Sequence, residues 1–152
     1  MNALLASRTR RAFVTTGGLL LAATLAGCAP AALAQATPKR HRLVVQVSDG
    51  DPAKWNLALN NAGNVLADLG ASNVDVEIVA YGPGIGMLKS GSPVGGRIAD
   101  AMKAGVHVVA CQNTMRGQKL TPADMLPQIG YVPAGVTELM KKQEEGWAYV
   151  RP

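Results

Sequence analysis

The chain has 152 residues, and its 15 basic residues outnumber its 10 acidic ones, which gives a net charge of +5. Three of those basic residues, Arg8, Arg10 and Arg11, lie in the first 34 positions, so 12 remain against 10 acidic residues in the rest. That remainder has no basic stripe and no aromatic stacking platform, which argues against nucleic-acid binding. Its 118 residues (152 minus 34) are enough for one domain with a hydrophobic core.

The first 34 residues have the layout of a bacterial export signal. The three arginines precede an apolar run from Gly17 to Ala26, which is too short and too rich in small residues to span a membrane. The pair Arg10-Arg11 followed by Phe13 resembles a twin-arginine signal. We therefore expect three parts: an export signal over residues 1–34, a tether over 35–41 and a folded, periplasmic domain over 42–152.

Two processing sites remain open. Leu25-Ala26-Gly27-Cys28 resembles a lipobox, and lipidation of Cys28 would anchor the protein to a membrane. Ala32-Leu33-Ala34 fits the pattern of ordinary signal cleavage, which we favour slightly. In either case Cys111 is the only free thiol in the mature chain, and we expect membrane contact only if Cys28 is lipidated.

Strand-like and helix-like segments alternate through the rest of the chain. Five segments rich in β-branched residues predict strands over 42–47, 74–80, 106–110, 129–132 and 147–150. Four segments between them predict helices that open at Asp51-Pro52, Ser92-Pro93, Thr121-Pro122 and Pro133. This alternation predicts an α/β fold with a mostly parallel sheet of about five strands flanked by helices.

The faces of two helices carry specific expectations. The apolar stripe of the first helix comprises Trp55, Ala58, Leu59, Ala62, Val65, Leu66 and Leu69. Its other face carries Asn56, Asn60, Asn61 and Asn64, which form either a solvated surface or a hydrogen-bonded subunit contact. In the last helix the spacing predicts that Val136, Leu139, Met140 and Gln143 point inward.

A glycine-rich segment, Tyr81-Gly82-Pro83-Gly84-Ile85-Gly86, follows the second predicted strand. A dinucleotide fingerprint would follow the first strand and contain no proline, so we do not assign a nucleotide cofactor. We predict a tight loop in which Tyr81, Gly82, Gly84 and Gly86 line a pocket. Such a loop can also present backbone N–H groups to an anion.

Cys111 ends the third predicted strand and is followed by polar, turn-forming residues. The carboxyl ends of parallel strands meet at one edge of a sheet, where ligands bind, so we expect Cys111 beside the glycine-rich loop. A short helical turn over 112–118 and the nearby Arg116 would both lower the pKa of the thiol. The residues alone leave a reactive and a structural cysteine equally open.

Other chemistry has little support. Hydrolysis by a cysteine nucleophile needs a basic partner, but His41 lies in the predicted tether and His107 is expected to pack deeper along the strand of Cys111. Cys111, His107, Met87 and Met115 are soft ligands, but no C-x-x-C or paired-histidine spacing supports a metal site. We therefore expect neither a metal nor a cofactor.

From Leu43 to Pro152 the chain resembles the exported branch of the DsrE/DsrF-like family. The segments that carry the resemblance are VSDGDPAKWNLALNNAGNVL, VEIVAYGPGIGML, GVHVVACQNTM and PAGVTELMKKQEEGWAYVRP. The resemblance implies a single flavodoxin-like domain that forms oligomers. The sulfur-relay subunits DsrE and TusD of this family carry sulfur as a cysteine persulfide after their third strand, which is the place of Cys111.

The resemblance implies a sulfur carrier whose Cys111 binds or transfers sulfur in exchange with a donor or acceptor protein. Asn113 and Thr114 would shape the pocket and Arg116 would favour the thiolate. Asn113, Thr114 and Met115 match the exported branch rather than the relay subunits. The alternative is a noncatalytic binding or assembly subunit in which Cys111 is structural.

Overall fold

The computed structural model describes residues 40–152, so the predicted export signal and most of the tether lie outside the described residues. The strands are β1 His41–Val47, β2 Val74–Ala80, β3 Val106–Cys111, β4 Gly130–Val132 and β5 Ala148–Val150. The α-helices are α1 Pro52–Leu69, α2 Gly95–Lys103, α3 Gln112–Gly117 and α4 Gly135–Glu144. Two 3₁₀ helices span Gly82–Leu88 and Pro122–Asp124. None of the helices in residues 40–152 has the length and apolar character needed to cross a membrane.

The five strands form one parallel sheet in the order β4-β3-β2-β1-β5. This confirms the predicted α/β, flavodoxin-like architecture. The register places Val47 beside Ala80, and Ala80 beside Ala110, so the three central strands end at the same level. Cys111 continues β3 by one residue and lies beside Val132 of β4.

Helix α1 begins and ends where its sequence predicts. The Asp51 carboxylate accepts a hydrogen bond from the Ala53 N–H at 2.8 Å, and Pro52 occupies the first helical position. Gly70 ends the helix at a φ of 82°, a conformation that favours glycine. The predicted stripe is confirmed: Trp55, Ala58, Leu59 and Ala62 are buried, and Val65, Leu66 and Leu69 pack against the core at its margin.

The helices cover the two faces of the sheet unequally. Helix α1 connects β1 to β2 and α2 connects β2 to β3, and both connections move in the same direction across the sheet. The two helices share the larger hydrophobic core on one face. The connection from β4 to β5 runs back across the sheet, and a right-handed crossover in that direction places α4 on the opposite face. There α4 packs against β1, β2 and β5 around a small cluster of Val44, Val79 and Leu139.

Several boundaries differ from the prediction, among them the starts of β1, α2 and α4. Strand β1 begins at His41, a residue assigned to the tether, because its N–H bonds to the Asn73 carbonyl at 2.9 Å. Helix α2 was predicted to open at Ser92-Pro93, but it begins at Gly95. The Gly95 N–H donates to the Ser92 carbonyl at 3.0 Å, so these residues form a turn before the helix. Helix α4 begins at Gly135, two residues after the predicted start at Pro133.

The predicted inward face of α4 is wrong for three of its four residues. Val136 is 61% exposed and Met140 is 52% exposed, while Gln143 is also exposed; only Leu139 is buried. The helix is turned so that Lys142 points toward the sheet instead. A buried acidic residue in β2, Glu77, accounts for this orientation.

The Glu77 carboxylate and the Lys142 ammonium form an ion pair of 2.9 Å beneath α4. Burial raises the pKa of Glu77, and the attraction of Lys142 offsets this only in part. Burial lowers the pKa of Lys142, but hydrogen bonding and attraction from Glu77, with further attraction from Glu138, raise it above its usual value. Glu77 Oε1 is buried without a hydrogen-bond partner. The unfavourable free energy of burying the Glu77 carboxylate is therefore offset mainly by Lys142.

We predict that Lys142→Met lowers the free energy of unfolding by about 3 kcal/mol, because it leaves the Glu77 charge buried without its partner. Without Lys142 the folded-state pKa of Glu77 lies still further above its unfolded value. The folded state then binds the Glu77 proton more tightly than the unfolded state does, so stability falls as the pH rises through that range. The deficit relative to wild type should therefore be larger at about pH 8 than at about pH 5 in urea denaturation.

The matched control is Lys141→Met, which removes the same charge from an exposed position next in the chain. It should leave stability nearly unchanged. The double variant Glu77→Leu/Lys142→Met should recover most of the lost stability because no buried charge remains. Equal deficits for Lys142→Met at both pH values would contradict this account.

Candidate functional site

The carboxyl ends of β1, β2 and β3 lie together, and their loops are joined by hydrogen bonds. The Gly82 N–H donates to Thr114 Oγ1 at 2.9 Å, which connects the glycine-rich segment to α3. The Gly84 N–H donates to the Ser48 carbonyl at 3.2 Å, which connects the same segment to the end of β1. The edge of the sheet therefore brings Cys111 and the glycine-rich segment into one site, as the strand pattern predicts.

Cys111 is both the last residue of β3 and the N-cap of α3. Its Sγ accepts a hydrogen bond from the Thr114 N–H at 3.4 Å, in the position where a serine or aspartate oxygen usually caps a helix. The residue is only 4% exposed. The thiol thus lies just below the surface, at the positive end of a short helix.

Two opposing effects set the pKa of Cys111. Burial raises it because a thiolate is poorly solvated there, but hydrogen bonds from the Thr114 side chain and the Thr114 N–H lower it. The N–H groups of Gly135 and Asn113 act in the same direction. The hydrogen bonds prevail, so the pKa of Cys111 lies below its ordinary value.

Thr114 has a double role because its hydroxyl oxygen already accepts from the Gly82 N–H. With that lone pair occupied, the hydroxyl proton is free to point at the Cys111 sulfur, in agreement with the effect of this side chain on the pKa of Cys111. The glycine-rich segment therefore acts on the sulfur through Thr114. The Gly82 and Gly84 N–H groups are bonded within the chain rather than offered to an anion.

Sequence reasoning missed Gly135, the first residue of α4. Its N–H contributes to lowering the pKa of Cys111, and a Cβ at Gly135 would lie 3.0 Å from Tyr81 Cβ. Tyr81 thus packs against the start of α4 and also lines an open groove of about 450 Å³ between α4 and β5. The chain pattern gives no strand order, so it could not place β4 and its following helix beside Cys111.

Arg116 and Asn113 lie at the surface and bond to each other. The Arg116 guanidinium donates to Asn113 Oδ1, while the Asn113 N–H donates to the Pro133 carbonyl at 3.1 Å. The groups that lower the pKa of Cys111 are hydrogen-bond donors of Thr114, Gly135 and Asn113. The geometry therefore shows a hydrogen bond to the sulfur from the Thr114 N–H, and it pairs the Arg116 side chain with Asn113.

Gly84 and Gly86 lie close to β1 and α1. A Cβ at Gly84 would overlap the carbonyl of Val47 at the end of β1. A Cβ at Gly86 would lie 3.2 Å from the ring of Trp55, which belongs to α1. Both glycines thus allow the 3₁₀ helix to approach its neighbours closely.

Neither histidine is positioned as a base for Cys111. His107 is exposed, contrary to the packing role predicted for it, because α4 packs over β1, β2 and β5 on this face. Cys111 follows His107 by four positions in the chain, which is about 13 Å along a strand. It lines a groove of about 530 Å³ at the other end of β3. His41 is exposed at the start of β1.

Residues 40–152 contain no group of three or more His, Cys, Asp or Glu side chains arranged to bind a metal ion.

Two of the four asparagines on α1 form a contact within the chain. Arg97 of α2 donates to Asn60 Oδ1 at 2.6 Å and also to Asn56 Oδ1. Asn64 remains exposed.

The DsrE/DsrF-like family model matches residues 41–152, which is most of the chain. The chain belongs to the DsrE/DsrF-like family. Among curated proteins none matches the chain. The family is associated with sulfur relay, and this chain presents its one described cysteine at the end of the third strand.

Solved structures agree with this assignment. A protein of unknown function from Methanobacterium thermoautotrophicum, MTH1491, is 34% identical, with a TM-score of 0.70 over 74% of this chain and 99% of its own. BT1422 from Bacteroides thetaiotaomicron is 14% identical, with a TM-score of 0.60 over 77% and 99%. The ychN protein from E. coli is 11% identical, with a TM-score of 0.58 over 74% and 99%. The last two share the fold.

We predict that Thr114→Val moves the alkylation profile of Cys111 to higher pH. The variant removes a hydrogen bond to the sulfur, and a bond to a charged group contributes about 1.5 kcal/mol, so alkylation near pH 7 should slow about tenfold. Thr114→Ser keeps the hydroxyl and should retain the wild-type profile. Peptide mass spectrometry after a small neutral alkylating reagent gives the rate at Cys111, and equal profiles for Val and Ser would contradict the role of the hydroxyl.

We also predict that Gly84→Ala destabilises the fold by about 3 kcal/mol, because its Cβ would overlap the backbone of β1. Gly96→Ala is the control, because a Cβ at Gly96 meets nothing within 4 Å. That control should be neutral or slightly stabilising in a helix. Urea denaturation followed by circular dichroism measures both, and a Gly84→Ala protein as stable as wild type would refute the close approach.

Proposed function

We propose that this protein is a sulfur carrier that accepts sulfur on Cys111 as a persulfide and passes it to an acceptor. The observation that carries the proposal is the position of Cys111 at the end of β3, where its sulfur caps α3 and accepts a hydrogen bond from the Thr114 N–H at 3.4 Å, with the pKa of the thiol below its ordinary value. Donors of this kind stabilise a negative sulfur, whether it belongs to a thiolate or to a persulfide. Membership of a family associated with sulfur relay supports the same chemistry.

The proposed reaction needs no oxidant. The Cys111 thiolate attacks the outer sulfur of a persulfide or polysulfide, a new S–S bond forms, and the old S–S bond breaks. The electron pair of the broken bond leaves on the donor, as a thiolate or a shorter polysulfide anion. An acceptor thiolate reverses the reaction. Because the leaving group departs as an anion, the site needs no histidine, in agreement with the distant positions of His41 and His107.

We place the protein in the periplasm, on the basis of the export signal predicted over residues 1–34, with membrane attachment only if Cys28 is lipidated. We further propose that it assembles as a homo-oligomer and exchanges sulfur with a partner protein. Exposed apolar side chains on α4, Val136 and Met140, support a transient contact with that partner protein at this helix. The balance of charge gives no reason to expect nucleic acid among the partners.

A second candidate is a noncatalytic binding or assembly subunit with a structural cysteine. The observation that favours it is the burial of Cys111, which is 4% exposed. A buried cysteine can serve simply as a small apolar residue. The two candidates differ in whether the native protein reacts at this sulfur.

We predict that native protein treated with polysulfide gains the mass of one or more sulfur atoms at Cys111, as detected by peptide mass spectrometry under non-reducing conditions. The gain should reverse on addition of a thiol acceptor. Cys111→Ser should show no gain, and neither should wild type treated with sulfide alone without oxidant, since a thiol and sulfide cannot form a persulfide without losing electrons. Reaction of Cys111 only after unfolding would favour the second candidate and contradict the first.

A further inference from the structure

The ion pair of Glu77 and Lys142 is the charged cluster that the proposed sulfur chemistry does not use. The two side chains are 9% and 17% exposed. Lys142 Nζ also lies 3.6 Å from Glu138 Oε1 and 4.3 Å from the centre of the Trp147 ring. The charged groups that face Glu77 are thus Lys142 and Glu138 from α4, with His107 from β3.

A buried ion pair seldom makes a protein more stable than well-packed apolar residues would. Stability alone therefore does not explain a carboxylate in the middle of β2, where one oxygen lacks a partner. Such pairs are best known for fixing one arrangement among several. The relevant alternatives here are different rotations of α4 on the sheet.

Helix α4 has little apolar surface to fix its rotation. Gly135 and Leu139 are its buried residues. Val136 and Met140 each follow one of these residues in the chain, and together with Leu139 they form a second apolar stripe, rotated around the helix from the first. Val136 and Met140 are exposed. A rotation that buried this second stripe would gain apolar contact and would move Lys142 away from Glu77. The ion pair opposes that rotation.

The rotation of α4 matters at the sulfur because the helix begins there. The Pro133 carbonyl accepts from the Asn113 N–H at 3.1 Å, and Gly135 packs against Tyr81. Gly135 is seven residues from Lys142, about 10 Å along a helix. A rigid helix held at Lys142 thus has a fixed orientation at Gly135, where the chain contacts Tyr81 and Asn113 beside Cys111.

We propose that the Glu77–Lys142 ion pair is a positioning device that fixes the rotation of α4 and so holds the start of this helix against Asn113 and Tyr81, beside the Cys111 sulfur. The significance of this device rests on the proposed function of Cys111 as a reactive thiolate. Glu77 and Lys142 are positioning residues, because they act on the sulfur only through the helix.

The test compares stability with the reactivity of Cys111 in the same variants. In Glu77→Leu/Lys142→Met we expect near wild-type stability, because no buried charge remains, together with two- to fivefold slower alkylation of Cys111 at about pH 7. Lys142→Arg keeps the charge and should retain the wild-type rate. Lys141→Met, at an exposed neighbouring position, is the control and should also retain it.

A second measurement follows the helix directly. The methyl group of Met140, exposed in the structure, should become less accessible to a water-soluble paramagnetic probe in the double variant. Recovery of both stability and wild-type alkylation rate in the double variant would overturn the proposal, as would an equally accessible Met140 methyl group. These outcomes do not depend on sulfur transfer: slower alkylation in the double variant combined with no sulfur uptake by wild type would reject the proposed function and keep the positioning role.

Discussion

The parallel register of β1, β2 and β3 determines where the candidate site lies. Because Val47, Ala80 and Ala110 are level in the sheet, the three loops that follow start from one edge. A hydrogen bond across that edge, from the Gly82 N–H to Thr114 Oγ1 at 2.9 Å, joins two of these loops. A shift by one residue would also turn the side chains of the slipped strand to the other face, so the core and the site are fixed together.

At the sulfur, burial and hydrogen bonding act against each other. Burial alone would raise the pKa of Cys111 and make it an inert apolar residue, whereas the surrounding donors more than compensate. The donors come from two elements, α3 and the start of α4, with the glycine-rich segment acting through Thr114. The lowered pKa of this thiol therefore depends on how several elements meet.

The sequence predicted those parts of the fold that depend on local chemistry. Asp51, Pro52 and Gly70 define α1 because caps and turns act over a few residues, and a β-branched run before Cys111 is enough to put the thiol at a strand end. The contribution of Gly135 was missed because it depends on strand order, which the pattern does not contain. The inward face of α4 was wrong because apolar spacing takes no account of Glu77, which lies 65 residues away from Lys142 in the chain (142 minus 77).

The error in α4 is itself informative. Apolar periodicity is a good guide to the buried face of a helix when the core that receives it is apolar, as it is for α1. Beneath α4 the sheet presents a carboxylate, and an uncompensated charge costs more than the burial of two further apolar side chains would return. Lys142 therefore turns inward, and Val136 and Met140 are left at the surface. One acidic residue in β2 thus explains both the exposed apolar side chains of α4 and the inward position of Lys142.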